Sequence, residues 1–321
     1  MKRNSNLLRS LIAAASLLST MSQAIAQDAL KLAVGQRGNW ETSVSDLGER
    51  VGIFKKHGLS LELLYTAGAG ETLQAVISGS VDIGVGVGTS GAMSAFAKGA
   101  PVRAIGSATV GSNDLYWYVR ADSPLKSLKD ATEKTTIAYS TTGSSTNVLV
   151  LGLIKTYGIK AKAEKTGSPP ATLTAVMSGQ IDVGWAAPPF GLKEVEEGKI
   201  RIIARGSEVP SSRGQTVRLL IANADKLAGN RELFARYMRA YRETLGWMYS
   251  DPRALTVYKE FSGIPESLTK RAVADFYPKE ALDPDRIEGL DDVMADAVAF
   301  KFLNAPLSTD RLTELFQLQK K

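Results

Sequence analysis

The sequence predicts an α/β protein of two similar lobes, each a mainly parallel sheet flanked by helices, with a helical layer built from the C-terminal third. Three observations carry this reading. From residue 29 onward, apolar runs alternate with amphipathic stretches of helical length. Residues 71–85 recur as residues 171–185 at a fixed offset of 100, with eight of the fifteen positions identical and three more exchanging Ile, Val and Met, where ordinary residue usage gives about one identity. That spacing is too long for a solenoid unit and fits one topology used twice. The 295 residues after position 26 also exceed the usual size of one domain.

Residues 1–26 carry Lys2, Arg3 and Arg9 with no acid, then a short apolar stretch over residues 11–18, then Ala24-Ile25-Ala26 before Gln27. This is the pattern of a cleaved secretory signal. Its apolar core is too short to cross ~30 Å of hydrocarbon, and no cysteine stands at the cleavage point to take a lipid. The mature chain is therefore expected in the periplasm, not as a lipoprotein. The leader supplies three of the 39 basic residues, which face 33 acidic ones, so the mature chain is near +3 and its charge is no argument for nucleic acid. The absence of cysteine excludes a disulfide framework and a thiol nucleophile, and the lone His57 argues against a zinc site or a Ser-His-Asp arrangement. No catalytic residue, metal ligand or cofactor is assigned, and a monomer is expected.

Lobe 1 is expected over residues 27–114. Residues 29–34 read as its first strand, 42–57 as an amphipathic helix stopped by Gly58, and 59–64 as the next strand. His57 falls in the last helical turn, where a hydrogen-bonding side chain suits the free carbonyls. Each copy of the repeat reads as a helix ended by Ser-Gly, a turn, then a strand carrying Asp and Gly; Asp82 and Asp182, shared by both copies, are assigned to hold backbone turns. Residues 115–121 cross to lobe 2, expected over 122–213, and residues 214–321 return as a second crossing strand followed by helices packed on lobe 1. In that tail Leu233, Tyr237, Tyr241, Leu245 and Met248 share one helical face, and Pro252, Pro265, Pro278, Pro284 and Pro306 punctuate shorter helices.

Candidate ligand contacts cluster where strands end, the rim on which α/β sheets bind ligands. Gly86 to Gly91 spell G-x-G-x-x-G, but the acidic residue such a dinucleotide site needs about 20 positions later is missing between Asp82 and Asp114. What remains is Thr89 and Ser90 at a helix N-terminus, serving either as caps or as contacts to an acceptor-rich ligand. Residues 140–146 follow the strand at 136–139 and precede a helix at 147–157; Thr141, Thr142, Ser144 and Ser145 make a donor cluster suited to a carboxylate or sulfonate. In the segment Gln36 to Trp40, Arg37 could grip an oxyanion at two points or sit exposed, Asn39 shares the same rim, and Trp40 could stack on a ligand or fill the core. Trp185, standing where the first copy has Val85, leaves the same choice open.

The run from Gly52 to Leu59 (Gly-Ile-Phe-Lys-Lys-His-Gly-Leu), the two Ser-Gly-x-x-Asp-x-Gly repeats and the run from Asp122 to Asp130 resemble the nitrate/sulfonate/taurine-type ABC-transporter substrate-binding proteins over nearly all of the mature chain. The resemblance implies the type II periplasmic-binding-protein fold, in which two lobes close on a small solute and pass it to an inner-membrane ABC permease driven by its ATPase. It implies ligand contacts from Arg37 to Trp40, at Thr89 and Ser90, from Thr141 to Ser145, and from Trp185 to Pro188. Ala187 stands where many relatives carry an acid, which disfavours an ammonium-bearing solute unless Glu41, Glu71 or Asp114 supplies the carboxylate. Aromatic residues at Trp40 and Trp185 favour an organic over an inorganic anion. The expected solute is a small organic sulfonate or carboxylate, aromatic ones included; a thiamine-precursor pyrimidine and a periplasmic sensor module are the alternatives. Pyrimidine synthases of the same superfamily use a cysteine motif that this chain lacks, so no enzyme is expected.

Overall fold

The computed structural model describes residues 27–319; the leader expected over residues 1–26 lies outside them. The first sheet takes β1 (Asp28–Gly35), β2 (Leu59–Thr66), β3 (Ile83–Gly88) and β4 (Val102–Val110) from the first third of the chain. Next come β5 (Tyr116–Arg120), β6 (Thr136–Tyr139), β7 (Lys162–Lys165), β8 (Gly184–Ala186) and β9 (Ile200–Arg205), before β10 (Thr216–Asn223) returns to the first sheet. The strand order there is β2-β1-β3-β10-β4, with β1 parallel to β2 and β3 and with β10 antiparallel to both its neighbours.

The second lobe repeats that plan. Strands β8-β5-β9 pair antiparallel, β6 and β7 pair parallel, and a parallel bridge between Ile137 and Val183 joins the two pieces. In each sheet, then, a single strand runs against the rest, and it is the strand that arrives from the other lobe. The 100-residue offset holds down to single hydrogen bonds. Asp82 accepts the Lys31 N–H at 2.7 Å and Asp182 accepts the Thr136 N–H at 2.8 Å, each tying the turn before its own strand to the neighbouring parallel strand. The Thr66–Thr72 hydroxyl pair at 2.7 Å recurs as Thr166–Thr172 at 2.6 Å.

Alternation along the strands divides the core of lobe 1 between the two sheet faces. Leu30, Leu32, Val34 and Leu220 face the side covered by Phe54 and the long helix Arg231–Ser250, whose Phe234, Tyr237, Tyr241 and Leu245 are buried there. Ala33, Leu219 and Ile221 face the opposite layer with Met93, Phe96 and Val293. Lobe 2 has its own core around Trp117, Ile137, Leu149, Leu153 and Trp185.

Two elements differ from expectation. The helix expected over residues 42–57 is broken into a 3₁₀ turn, Val44–Arg50 and Ile53–Lys56, because Gly52 adopts φ 79° and ends the first segment. His57 pairs with the side chain of Glu243 on the long helix at 2.8 Å and so fastens the two elements together. The tail also does more than cover lobe 1: Phe276 packs on Tyr116 of β5, Arg271 pairs with Glu196, and the Tyr277 hydroxyl donates to the Pro188 carbonyl at 2.6 Å.

The lobes are joined where β4 leads to β5 and where β9 leads to β10. At this double crossing Gly111 N–H donates to the Gln215 carbonyl at 2.8 Å, and the buried hydroxyls of Ser112 and Ser212 meet at 2.7 Å.

Candidate functional site

The carboxyl ends of the parallel strands of both sheets meet in the seam between the lobes. Three contacts hold it shut. Gly70 N–H, at the start of the helix Ala69–Ile77, donates to Thr141 Oγ1 of lobe 2 at 2.9 Å. Gly88 and Gly91 both lie so close to the Gly143 backbone that a Cβ on either would sit 2.5 Å from its carbonyl oxygen. Gly143 itself adopts φ 79°, the left-handed turn that presents this carbonyl to lobe 1.

Behind these contacts lies a cavity with about 20 Å³ open to the centre of a water molecule, room for one or two waters. Lobe 1 lines it with Gln36, Asn39, Glu41 and Arg218; lobe 2 lines it with Ser140, Ser144–Thr146 and Trp185. The hydroxyl loop is pre-ordered. Ser140 N–H donates to Thr146 Oγ1 at 2.9 Å, Ser144 and Thr146 hydroxyls meet at 2.9 Å, and Ser144 Oγ caps the helix Ser145–Tyr157 by accepting Asn147 N–H at 3.2 Å.

Charge is concentrated on the lobe 1 wall. Arg218, 6% exposed, ion-pairs with Asp114 through Nη2 and points Nη1 at Ser145 Oγ across the seam at 3.5 Å. Glu41, 2% exposed, accepts Asn39 Nδ2–H at 3.3 Å through Oε1. One buried guanidinium thus serves two carboxyl groups, Asp114 by a direct ion pair and Glu41 through its field alone. Burial, reinforced by Asp114 and opposed by Arg218, pushes the Glu41 carboxyl up to about 7. Because the fold favours the protonated form, the contribution of Glu41 to stability is complete below its ordinary value of 4.5 and fades as pH rises through about 7.

Four polar atoms here have no hydrogen-bond partner among the described residues: Asn39 Oδ1, Glu41 Oε2, Asp114 Oδ1 and Trp185 Nε1. An unmade hydrogen bond on a buried group costs about 1–3 kcal/mol, more on a charged one. Such a cluster is therefore strong physical ground for a site. Trp185→Phe removes an indole N–H that the protein itself does not satisfy but also shrinks a ring buried in the lobe 2 core, so its unfolding free energy in urea should fall by about 1–3 kcal/mol, the cost of the cavity, while affinity for a solute falls roughly tenfold. Unchanged affinity would show that the N–H does not meet the solute.

The eleven sequence-predicted contacts divide. Asn39, Ser144, Ser145 and Trp185 line the cavity. Thr89 and Ser90 line a second small cavity on the far side of Ser145, and Thr89 donates to the Thr216 carbonyl at 2.5 Å instead of capping its own helix. Thr141 latches the seam, and Thr142 borders an outer groove. Arg37 faces away, its guanidinium over the Phe261 ring and donating to the Phe261 carbonyl at 2.8 Å. Trp40 is buried against Tyr249 and Tyr258, and Pro188 lends only its carbonyl, to Tyr277. Of the three substitute acids, Glu41 lines the cavity, Asp114 stands behind it paired with Arg218, and Glu71 accepts Ala67 N–H at an exposed turn. Arg218 was not predicted; its signal was a cation inside the apolar run Val217–Ile221 of the second crossing strand. Among the described residues no group of three or more His, Cys, Asp and Glu is placed to hold a metal.

Among solved structures the fold is similar to the alkanesulfonate-binding protein SsuA from Xanthomonas axonopodis pv. citri bound to MOPS (TM-score 0.71, 18% identity, covering 86% of this chain and 92% of that one). It is likewise similar to the periplasmic aliphatic sulphonate-binding protein SsuA from Escherichia coli (0.67, 16%, 91% and 93%). A third match is the periplasmic nitrate-binding protein NrtA from Synechocystis PCC 6803 (0.68, 13%, 91% and 86%). These structural similarities show a shared two-lobed fold. No curated protein matches the sequence. The family model described as NMT1/THI5 like matches residues 47–255, a span that runs through both sheets and both crossings, and the chain belongs to the NMT1/THI5-like family.

Proposed function

We propose that this chain is the periplasmic solute-binding component of an ABC importer, taking a small organic solute between its lobes and delivering it to an inner-membrane permease with its ATPase. The observation that carries the reading is the set of unpaired polar atoms on Asn39, Glu41 and Trp185, residues of both lobes that line one seam cavity. The fold neighbours are themselves named as binding proteins, and no helix of the described residues is long and apolar enough to cross a membrane.

The polarity of the cavity refines the expected ligand. A solute that is only an anion finds Arg218 already engaged by Asp114. One that carries both an acceptor group and an N–H donor satisfies more of the site: its acceptor meets Trp185 Nε1 and the hydroxyls of Ser140, Ser144 and Ser145, and its donor meets Asn39 Oδ1 and Glu41 Oε2. An amino-bearing sulfonate or carboxylate fits this pattern, and the Asn39–Glu41 acceptor pair also favours the second reading, an aminopyrimidine. Because the seam leaves room for only one or two waters, a solute enters with the lobes apart and draws them together.

Isothermal titration of residues 27–321 with taurine, an aminopyrimidine, ethanesulfonate, benzenesulfonate and nitrate tests this. Taurine or the aminopyrimidine should bind at least tenfold more tightly than ethanesulfonate. Tighter binding of ethanesulfonate would reverse the polarity assignment, and no binding by any of the five would overturn the solute reading for these classes.

A further inference from the structure

The charge balance of the seam has a consequence for how it closes. Glu41 sits at the end of β1's connecting turn, with Arg218 of β10 and Asp114 of the first crossing as its charged neighbours. The hydroxyls of Tyr277, Tyr258, Tyr241 and Tyr249, from the helical tail, are the other titratable groups packed around it. Lobe 2 supplies the remaining wall with neutral groups alone: the loop residues Ser140 and Ser144–Thr146, and Trp185. Among the described residues no second cation acts on Glu41, and its Oε2 has no hydrogen-bond partner.

We propose that closure of the two lobes takes up one proton at Glu41, making this carboxyl a switch that couples the open-to-closed equilibrium to external pH. When the lobes part, the wall formed by Ser140, Ser144–Thr146 and Trp185 withdraws, water reaches Glu41 Oε2, and the carboxylate form is solvated. When they close, water leaves, and a second carboxylate beside the Asp114–Arg218 pair finds no compensating charge, so the proton is retained. Mild acid therefore favours the closed form and alkali the open one. The inference rests on the reading of the seam as a cleft that opens and shuts, and it adds the regulation of that cleft. Its sign can be read without any solute.

The chain contains no cysteine, so spin labels can be placed uniquely at Lys55→Cys in lobe 1 and Lys134→Cys in lobe 2, both exposed positions. Double electron–electron resonance between pH 8 and pH 5.5 should show the ratio of closed to open distances rising by roughly 30-fold as Glu41 takes up its proton. In the Glu41→Gln background, which carries a permanently neutral side chain, the ratio should be high and flat with pH. A distance distribution independent of pH in the parent, or an equal response in Glu41→Gln, would overturn the proposal. Should Glu41→Gln fail to fold, infrared spectroscopy of the parent decides: a protonated-carboxyl C=O band present at pH 6 and lost by pH 8.5 supports it, and absence of that band at pH 6 overturns it. Solute titration on the same labelled protein separates the two claims. Binding with no pH response removes the switch and leaves the solute reading, whereas a pH response with no solute binding does the reverse.

Discussion

Arg218→Met should destabilise the protein by about 3–5 kcal/mol at pH 7.5, measured by urea unfolding, the largest loss expected for any single change in the seam. Among the described residues Arg218 is the one cation beside Glu41 and Asp114, and the pair it forms with Asp114 is buried on both sides. Removing it leaves Asp114 buried without its ion-pair partner and Glu41 without the cation that offsets its burial. Protonation can relieve this, so the deficit should shrink as pH falls toward 5.5. Arg218→Met combined with Asp114→Leu should recover most of the loss, because replacing a buried pair entirely by apolar groups avoids the unpaired charge. A loss under 1 kcal/mol in the single variant would mean that water already reaches the pair.

Gly91→Ala should leave the fold intact and abolish tight solute binding. Gly91 lies in the helix Thr89–Ala97 with helical backbone, where Ala is favoured over Gly by about 1 kcal/mol. Its added methyl would meet the Gly143 carbonyl at 2.5 Å, and backbone at that point cannot swing aside as a side chain can. The methyl acts as a doorstop. Since affinity scales with the fraction of molecules able to close, the titration should show a loss of roughly 100-fold or more with every cavity-lining side chain unchanged. The resonance distances should remain at the open value at all pH. Wild-type affinity in this variant would show that closure does not need the Gly91–Gly143 approach.

The two-lobed architecture was legible because it is written twice. A 100-residue echo at Asp82/Asp182 and Ser78-Gly79/Ser178-Gly179 survives as matched hydrogen bonds, and periodicity located the strands that carry it. The hydroxyl loop at residues 140–146 was legible for a local reason, since strand, small polar run and helix follow one another directly. The charged wall was harder to read. Glu41, Asp114 and Arg218 are separated by 73 and 104 residues and meet only because β10 inserts between β3 and β4. Nothing local marks that meeting except a lone Arg among Val217, Leu219 and Leu220. Side-chain direction was also beyond the pattern. Gln36 and Gly38 take φ 68° and 95°, and this twist sends Arg37 outward to Phe261 while Asn39 turns in. Trp40 follows into the core, where Tyr249 and Tyr258 enclose it.

The placement of β10 also sets the order in which the molecule can be assembled. Strands β3 and β4 are 14 residues apart in sequence yet not neighbours, for the slot between them is filled by residues 216–223. A nascent chain that has emerged only as far as residue 215 therefore carries a split sheet with two raw edges, each exposing unsatisfied backbone. The first lobe cannot mature before the second has been threaded through, so the polypeptide should acquire protease resistance in one late step and not lobe by lobe.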